Sequence, residues 1–118
     1  MKPIKMELTI GTANHEAQLQ RVGRDYVMFT RADIAKRLSD IAGGCSVHEV
    51  QGCYIMENGT LVEETSLVFT IILFDNVMQN ANRTVIYDFA EAIRSGWGEE
   101  CVLITETELK GARLLGLG

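Results

Sequence analysis

The feature that most constrains this chain is an Asn-Gly pair set between two long strand-prone runs. Ser46 to Met56 and Leu61 to Phe74 are rich in β-branched and aromatic residues, and Glu57-Asn58-Gly59-Thr60 separates them. An Asn-Gly pair favours a tight type I′ turn because both of its central positions require positive φ. The spacing therefore predicts a β-hairpin centred on Asn58-Gly59, with Leu61 to Phe74 as the longest strand. A lone hairpin is marginal in water and needs further strands or helices to cover it.

The rest of the chain supplies them. Met6-Glu-Leu-Thr-Ile10 alternates with period two and ends at Gly11, as a half-buried strand does. Residues 12 to 25 are polar, with Gln18 to Val22 alternating before Gly23-Arg24-Asp25, and fit an extra hairpin arm or a loop equally well. Tyr26-Val-Met-Phe29 leads to Thr30, whose hydroxyl can cap a helix when Asp33 follows three positions later. Ile34, Leu38 and Ile41 then build one apolar face, and Gly43-Gly44 stops the helix. After a polar stretch from Asp75, the residues Val85, Ile86, Phe89, Ile93 and Trp97 predict a second helix that starts at Asn82-Arg83-Thr84 and ends at Gly96 and Gly98. Cys101-Val-Leu-Ile104 resumes a strand that can run to Leu109, and Gly111 to Gly118 is an apolar, glycine-spaced tail. The expected fold is α+β, ferredoxin-like βαββαβ, an antiparallel sheet with two helices on one face.

The segment from Gly44-Cys-Ser-Val47 through Gly52-Cys-Tyr54 to Gly59 and Glu64-Thr-Ser66 resembles an uncharacterised bacterial family of small ferredoxin-like domains. That family's hairpin reads Gly-x-Thr-Val, Gly-x-Trp, Gly and Glu-x-Ser; here Ser46 stands for its threonine and Tyr54 for its tryptophan. Gly98-Glu-Glu-Cys-Val-Leu103 is similar to the start of its last strand. Turn glycines and strand residues of this kind imply an architecture and no chemistry.

With 118 residues and 47% apolar composition, the chain can bury one core, so residues 1 to 118 are expected to form one domain. The net charge of −5 gives no basic field to hold a nucleic-acid polymer. Met1 to Met6 lacks the apolar run of a signal peptide, and no stretch reaches membrane-spanning length, which predicts a cytoplasmic protein without a membrane partner. Cys45, Cys53 and Cys101 match no metal or disulfide spacing, and their odd number predicts reduced, mostly buried thiols.

Candidate chemistry is sparse. His15 and His48 have no second histidine or cysteine at ligand spacing, so no metal or cofactor is expected. His48 and Cys53 lie five apart on one strand and face opposite sides, which excludes a base and its nucleophile. Adjacent residues of a strand likewise diverge, so neither Glu63 with Glu64 nor Glu99 with Glu100 makes an acid-base pair. The strand order suggests that both helices begin at one edge of the sheet. Arg31 and Asn82-Arg83-Thr84 would then converge with free N–H groups on an anion, and Asn14, His15 and Arg24 could reach the same edge.

The longest strand is apolar on both faces. Leu67, Phe69, Ile71 and Leu73 supply one, while Val68, Ile72 and Phe74 supply the other, and two helices cover only one side. A homo-oligomer is expected. The arginine edge favours a non-enzymatic oligomer that binds a small anion such as a nucleotide or cyclic nucleotide, one version being a phage protein that sequesters an immune signalling nucleotide. The alternatives are a small dimeric α+β barrel isomerase or cofactor-free oxygenase using His48 or Glu64, and a protein–protein inhibitor.

Overall fold

The computed structural model describes residues 1–12, 30–99 and 101–116, so the residue 12–25 segment lies outside it from Ala13 onward. The order is β1 (Ile4–Gly11), α1 (Arg31–Ala42), β2 (Ser46–Ile55), β3 (Leu61–Leu73), α2 (Gln79–Trp97) and β4 (Leu103–Glu108). This is the expected βαββαβ order. The four strands form one sheet, β2-β3-β1-β4, antiparallel throughout.

The period-two alternation decides which residues meet. Register pairs Met6 with Ile71, Leu8 with Phe69 and Ile10 with Leu67, so these six share a face. Ile34 and Leu38 of α1 and Ile86, Ala90, Ile93 and Trp97 of α2 close over that face, and the joint cluster is the core. Full burial of each large side chain is worth about 1.5–3 kcal/mol, so this layer dominates the stability. Val85, counted on the apolar face of the second helix, instead lies outward.

Local chemistry sets the ends of α1. The Thr30 hydroxyl accepts from the Asp33 N–H at 3.1 Å, and the Asp33 carboxylate accepts from the Thr30 N–H at 3.0 Å, a complete capping box. These bonds hold the Asp33 carboxyl below the usual carboxylate range. Gly43, at φ 84°, closes the helix in the left-handed conformation.

The hairpin forms where expected, with a different turn. Only Gly59 has positive φ, and Asn58 does not, so the connection is not type I′. The Gly59 N–H donates to the Met56 carbonyl at 2.9 Å and the Met56 N–H to the Thr60 carbonyl at 2.9 Å, which makes a three-residue loop. The Asn58 side chain accepts from the Thr60 N–H at 3.0 Å, and this gives the asparagine its place.

Three further expectations are corrected. The second helix begins at Gln79, three residues before Asn82, because the polar stretch after Asp75 is short and its glutamine caps the sheet rather than facing water. The open face of the sheet is mixed rather than apolar: Lys5 and Glu7 sit on it as a 3.3 Å ion pair, and Val68 is already buried. Cys53 and Cys101 are exposed and Cys45 half-buried, all three free, because each lies at a sheet edge or connection. Burial pushes the Cys45 thiol pKa up. Among the described residues, no helix is long and apolar enough to cross a membrane, and no group of three or more His, Cys, Asp or Glu could hold a metal ion.

Candidate functional site

The antiparallel register fixes where the helices start. Ile4 pairs with Leu73 and Gly11 with Ser66, so the C-terminal ends of β1 and β3 lie at opposite ends of the sheet. The first helix follows β1 and the second follows β3, and their N-termini are therefore apart. Arg31 and Arg83 do not converge, contrary to the sequence expectation.

Each arginine has a carboxylate partner. Arg31 Nη1 lies 3.3 Å from Glu49 Oε1 on β2. Arg83 grips Glu106 of β4 with both Nε and Nη2, the second contact at 2.8 Å, and stacks 5.4 Å above the Tyr87 ring. The Tyr87 hydroxyl donates to the same carboxylate at 3.0 Å. Arg83 chiefly, and Tyr87 with it, hold the Glu106 pKa below the usual range; burial chiefly raises that of Tyr87, and Glu106 raises that of Arg83. Asn82 and Thr84 are not caps: the Asn82 N–H donates to the Met78 carbonyl at 2.8 Å and the Thr84 hydroxyl to the Asn80 carbonyl at 3.2 Å. Asn14, His15 and Arg24 lie outside the described residues. Around Arg83, a cleft of about 380 Å³ is lined by Lys2, Asn80, Glu106 and Glu108 among others, and mixes both signs of charge.

At the opposite end of the sheet two carboxylates come together. Thr12, leaving β1, donates its N–H at 3.2 Å and its hydroxyl at 3.0 Å to the Thr65 carbonyl, which ties β1 to the base of the hairpin. Beyond that point the hairpin continues without β1 as an arm of five residue pairs, from Gln51 opposite Thr65 to Ile55 opposite Leu61. Glu64 stands at its base.

The second carboxylate arrives from α2. Gly98 is left-handed (φ 68°), and the Gly98 and Glu99 N–H groups donate to the Ser95 and Arg94 carbonyls at 3.2 and 3.0 Å. This is the double bond pattern that reverses a chain at a helix end. Arg94 Nη1 holds the Glu99 carbonyl at 3.1 Å, and the Glu99 side chain turns toward Gly11. A methyl group on Gly11 would overlap Glu64 Oε1, with Glu64 Cδ at 2.9 Å and Glu99 Oε2 at 3.4 Å. The two carboxylates thus converge over one strand glycine. Glu99 Oε1 is sealed from solvent.

Sequence reasoning considered each glutamate and paired each with its chain neighbour, Glu63 with Glu64 and Glu99 with Glu100. The pair that forms takes one from each doublet. Nothing local signals that contact except Gly11, a glycine closing a strand whose φ is not left-handed. Ionised carboxylates only accept hydrogen bonds, so a convergent pair suits a cation or a pair of hydroxyls such as those of a ribose.

No protein-family model matches the sequence, and no curated protein matches it. Among solved structures, the chain is similar to a phage SAM lyase in complex with S-methyl-5′-thioadenosine, at 17% identity and TM-score 0.62, covering 91% of this chain and 81% of that one. It is also similar to CutA from Synechococcus elongatus, at 14% identity and TM-score 0.51, covering 92% and 77%. The divalent ion tolerance protein CutA1 from Ehrlichia chaffeensis matches at 10% identity and TM-score 0.54, covering 96% and 87%. At these identities the likeness establishes a shared ferredoxin-like α+β fold.

Proposed function

We propose that this chain binds a small adenine nucleoside bearing a positive centre, of which S-adenosylmethionine is the representative, and that it does so as a homo-oligomer. The observation that carries the reading is the convergence of Glu64 and Glu99, from separate elements, over Gly11. Two acceptors at one point favour a sulfonium, an amine or ribose hydroxyls, and oppose a phosphate. The fold likeness to a phage lyase holding S-methyl-5′-thioadenosine supports a nucleoside of this kind.

This reading replaces the anion pocket, since Arg31 and Arg83 stand at opposite ends of the sheet and each is paired. A sequestering role remains compatible with it, with a nucleoside in place of a signalling nucleotide. Self-association is supported by the arm. Ile55 is 72% exposed, Leu61 58% and Met56 46%, and Leu103 on β4 is 59% exposed at the same end of the sheet. A second copy packed on this end would bury apolar side chains that water otherwise surrounds, and would close over Glu64.

Calorimetry with S-adenosylmethionine and S-methyl-5′-thioadenosine tests the proposal, with chromatography of the same mixtures to read any conversion. Glu64→Gln and Glu99→Gln should each weaken binding about ten- to hundredfold, the range for losing a charge-assisted hydrogen bond. Wild-type protein that binds neither compound would refute it, as would variants that bind like wild type.

A further inference from the structure

Gly11 has no backbone reason to be glycine. It closes β1 in ordinary register with Ser66, and its φ is not in the left-handed region. Glycine in such a place weakens a strand and often marks a close approach of another group. Here the group is the Glu64 carboxylate, which occupies the volume that a Cβ would take, with Glu99 Oε2 at its side.

We infer that Gly11 is a positioning residue: by lacking a Cβ it seats the Glu64 carboxylate across the β1 backbone beside Glu99, and so sets the spacing of the two acceptors. Its use in binding rests on the nucleoside reading above; its geometry does not. Thr12 makes the seat rigid, because its N–H and hydroxyl both hold the Thr65 carbonyl and fix the backbone next to Glu64 relative to Gly11. The hairpin base therefore cannot withdraw to make room. A Cβ at position 11 is accommodated only by turning the Glu64 side chain, whose far end is flexible, so the carboxylate leaves Glu99 while the fold stays intact. A residue that merely packs would behave in the opposite way.

The test compares wild type, Gly11→Ala, Glu64→Asp and the double variant by three readouts. The first is melting temperature, which should stay within about 5 °C in Gly11→Ala, since the position is not left-handed and alanine meets no such strain there. The second, taken without ligand, is the side-chain carboxyl ¹³C resonance of Glu64, which should move in Gly11→Ala. The third is affinity for S-adenosylmethionine, which Gly11→Ala should lower about tenfold or more as a charge-assisted contact is lost. In the Glu64→Asp background the carboxyl is one methylene shorter and clears the new Cβ, so the same alanine should cost much less, a non-additive result. An unmoved Glu64 resonance, additive affinities or a larger fall in melting temperature would overturn the inference. If wild type binds no S-adenosylmethionine but the resonance moves, the ligand reading fails and the seating stands.

Discussion

Replacing Gln79 with alanine should lower stability far more than its position, at the first turn of a helix, implies. The residue is 4% exposed, and its side-chain amide nitrogen donates to the Lys2 carbonyl at 2.6 Å and the Leu73 carbonyl at 3.3 Å. One residue therefore ties the start of α2 to the start of β1 and the end of β3. Each hydrogen bond contributes about 1 kcal/mol net, and a buried acceptor left unmade costs about 1–3 kcal/mol. The longer bond is discounted, so Gln79→Ala should cost about 2–3 kcal/mol. For a domain of this size that is a fall of roughly 10 °C in melting temperature. Gln79→Glu separates hydrogen bonding from packing. An ionised glutamate only accepts and would face two carbonyls, whereas a protonated one regains a donor. Its deficit relative to wild type should shrink as pH falls through the carboxyl range. Equilibrium urea unfolding reads both variants, and a Gln79→Ala cost below about 0.5 kcal/mol, the usual scatter of neutral surface changes, would show that the Gln79 amide ties nothing together.

Gly59→Val should cost at least about 1 kcal/mol, because φ 84° strains a β-branched residue; an unchanged melting temperature would contradict the turn geometry. Glu106 has a pKa lowered in the folded state by Arg83 and Tyr87, so its contribution is present above the unfolded carboxyl pKa and is lost as pH falls through the folded value. Wild type should therefore lose stability relative to Glu106→Gln below about pH 4, and parallel stability curves in acid would show that the pair contributes nothing. Leu61→Glu places a charge on an already exposed arm position, and should shift sedimentation to the monomer without lowering the monomer's helix signal. Wild type sedimenting as a monomer at every concentration would remove the oligomer.

Much of the fold was legible because it is written in local pattern. Alternation in Met6 to Ile10 and Leu67 to Leu73 marks the core face, and the Thr30 and Asp33 capping box and Gly98 mark helix ends. What failed was non-local. Gln79 reads as a loop residue until the carbonyls of Lys2 and Leu73 are placed beside it. The arginine edge failed on direction: β1 and β3 are antiparallel neighbours, so helices that follow them start at opposite ends. Glu64 and Glu99 were visible as residues and invisible as a pair, since their meeting depends on the Thr12 tie, the Gly98 reversal and the empty side of Gly11.

The most direct measurement is an amide chemical-shift map of the ¹⁵N-labelled protein titrated with S-adenosylmethionine. The two ends of the sheet give it opposite outcomes. A nucleoside held by Glu64 and Glu99 places the largest perturbations at Gly11, Thr12, Glu64, Thr65 and Glu99, with the Asn80, Arg83 and Glu106 cleft unaffected. Perturbations concentrated at Arg83 and Glu106, or none at any ligand concentration, would contradict it.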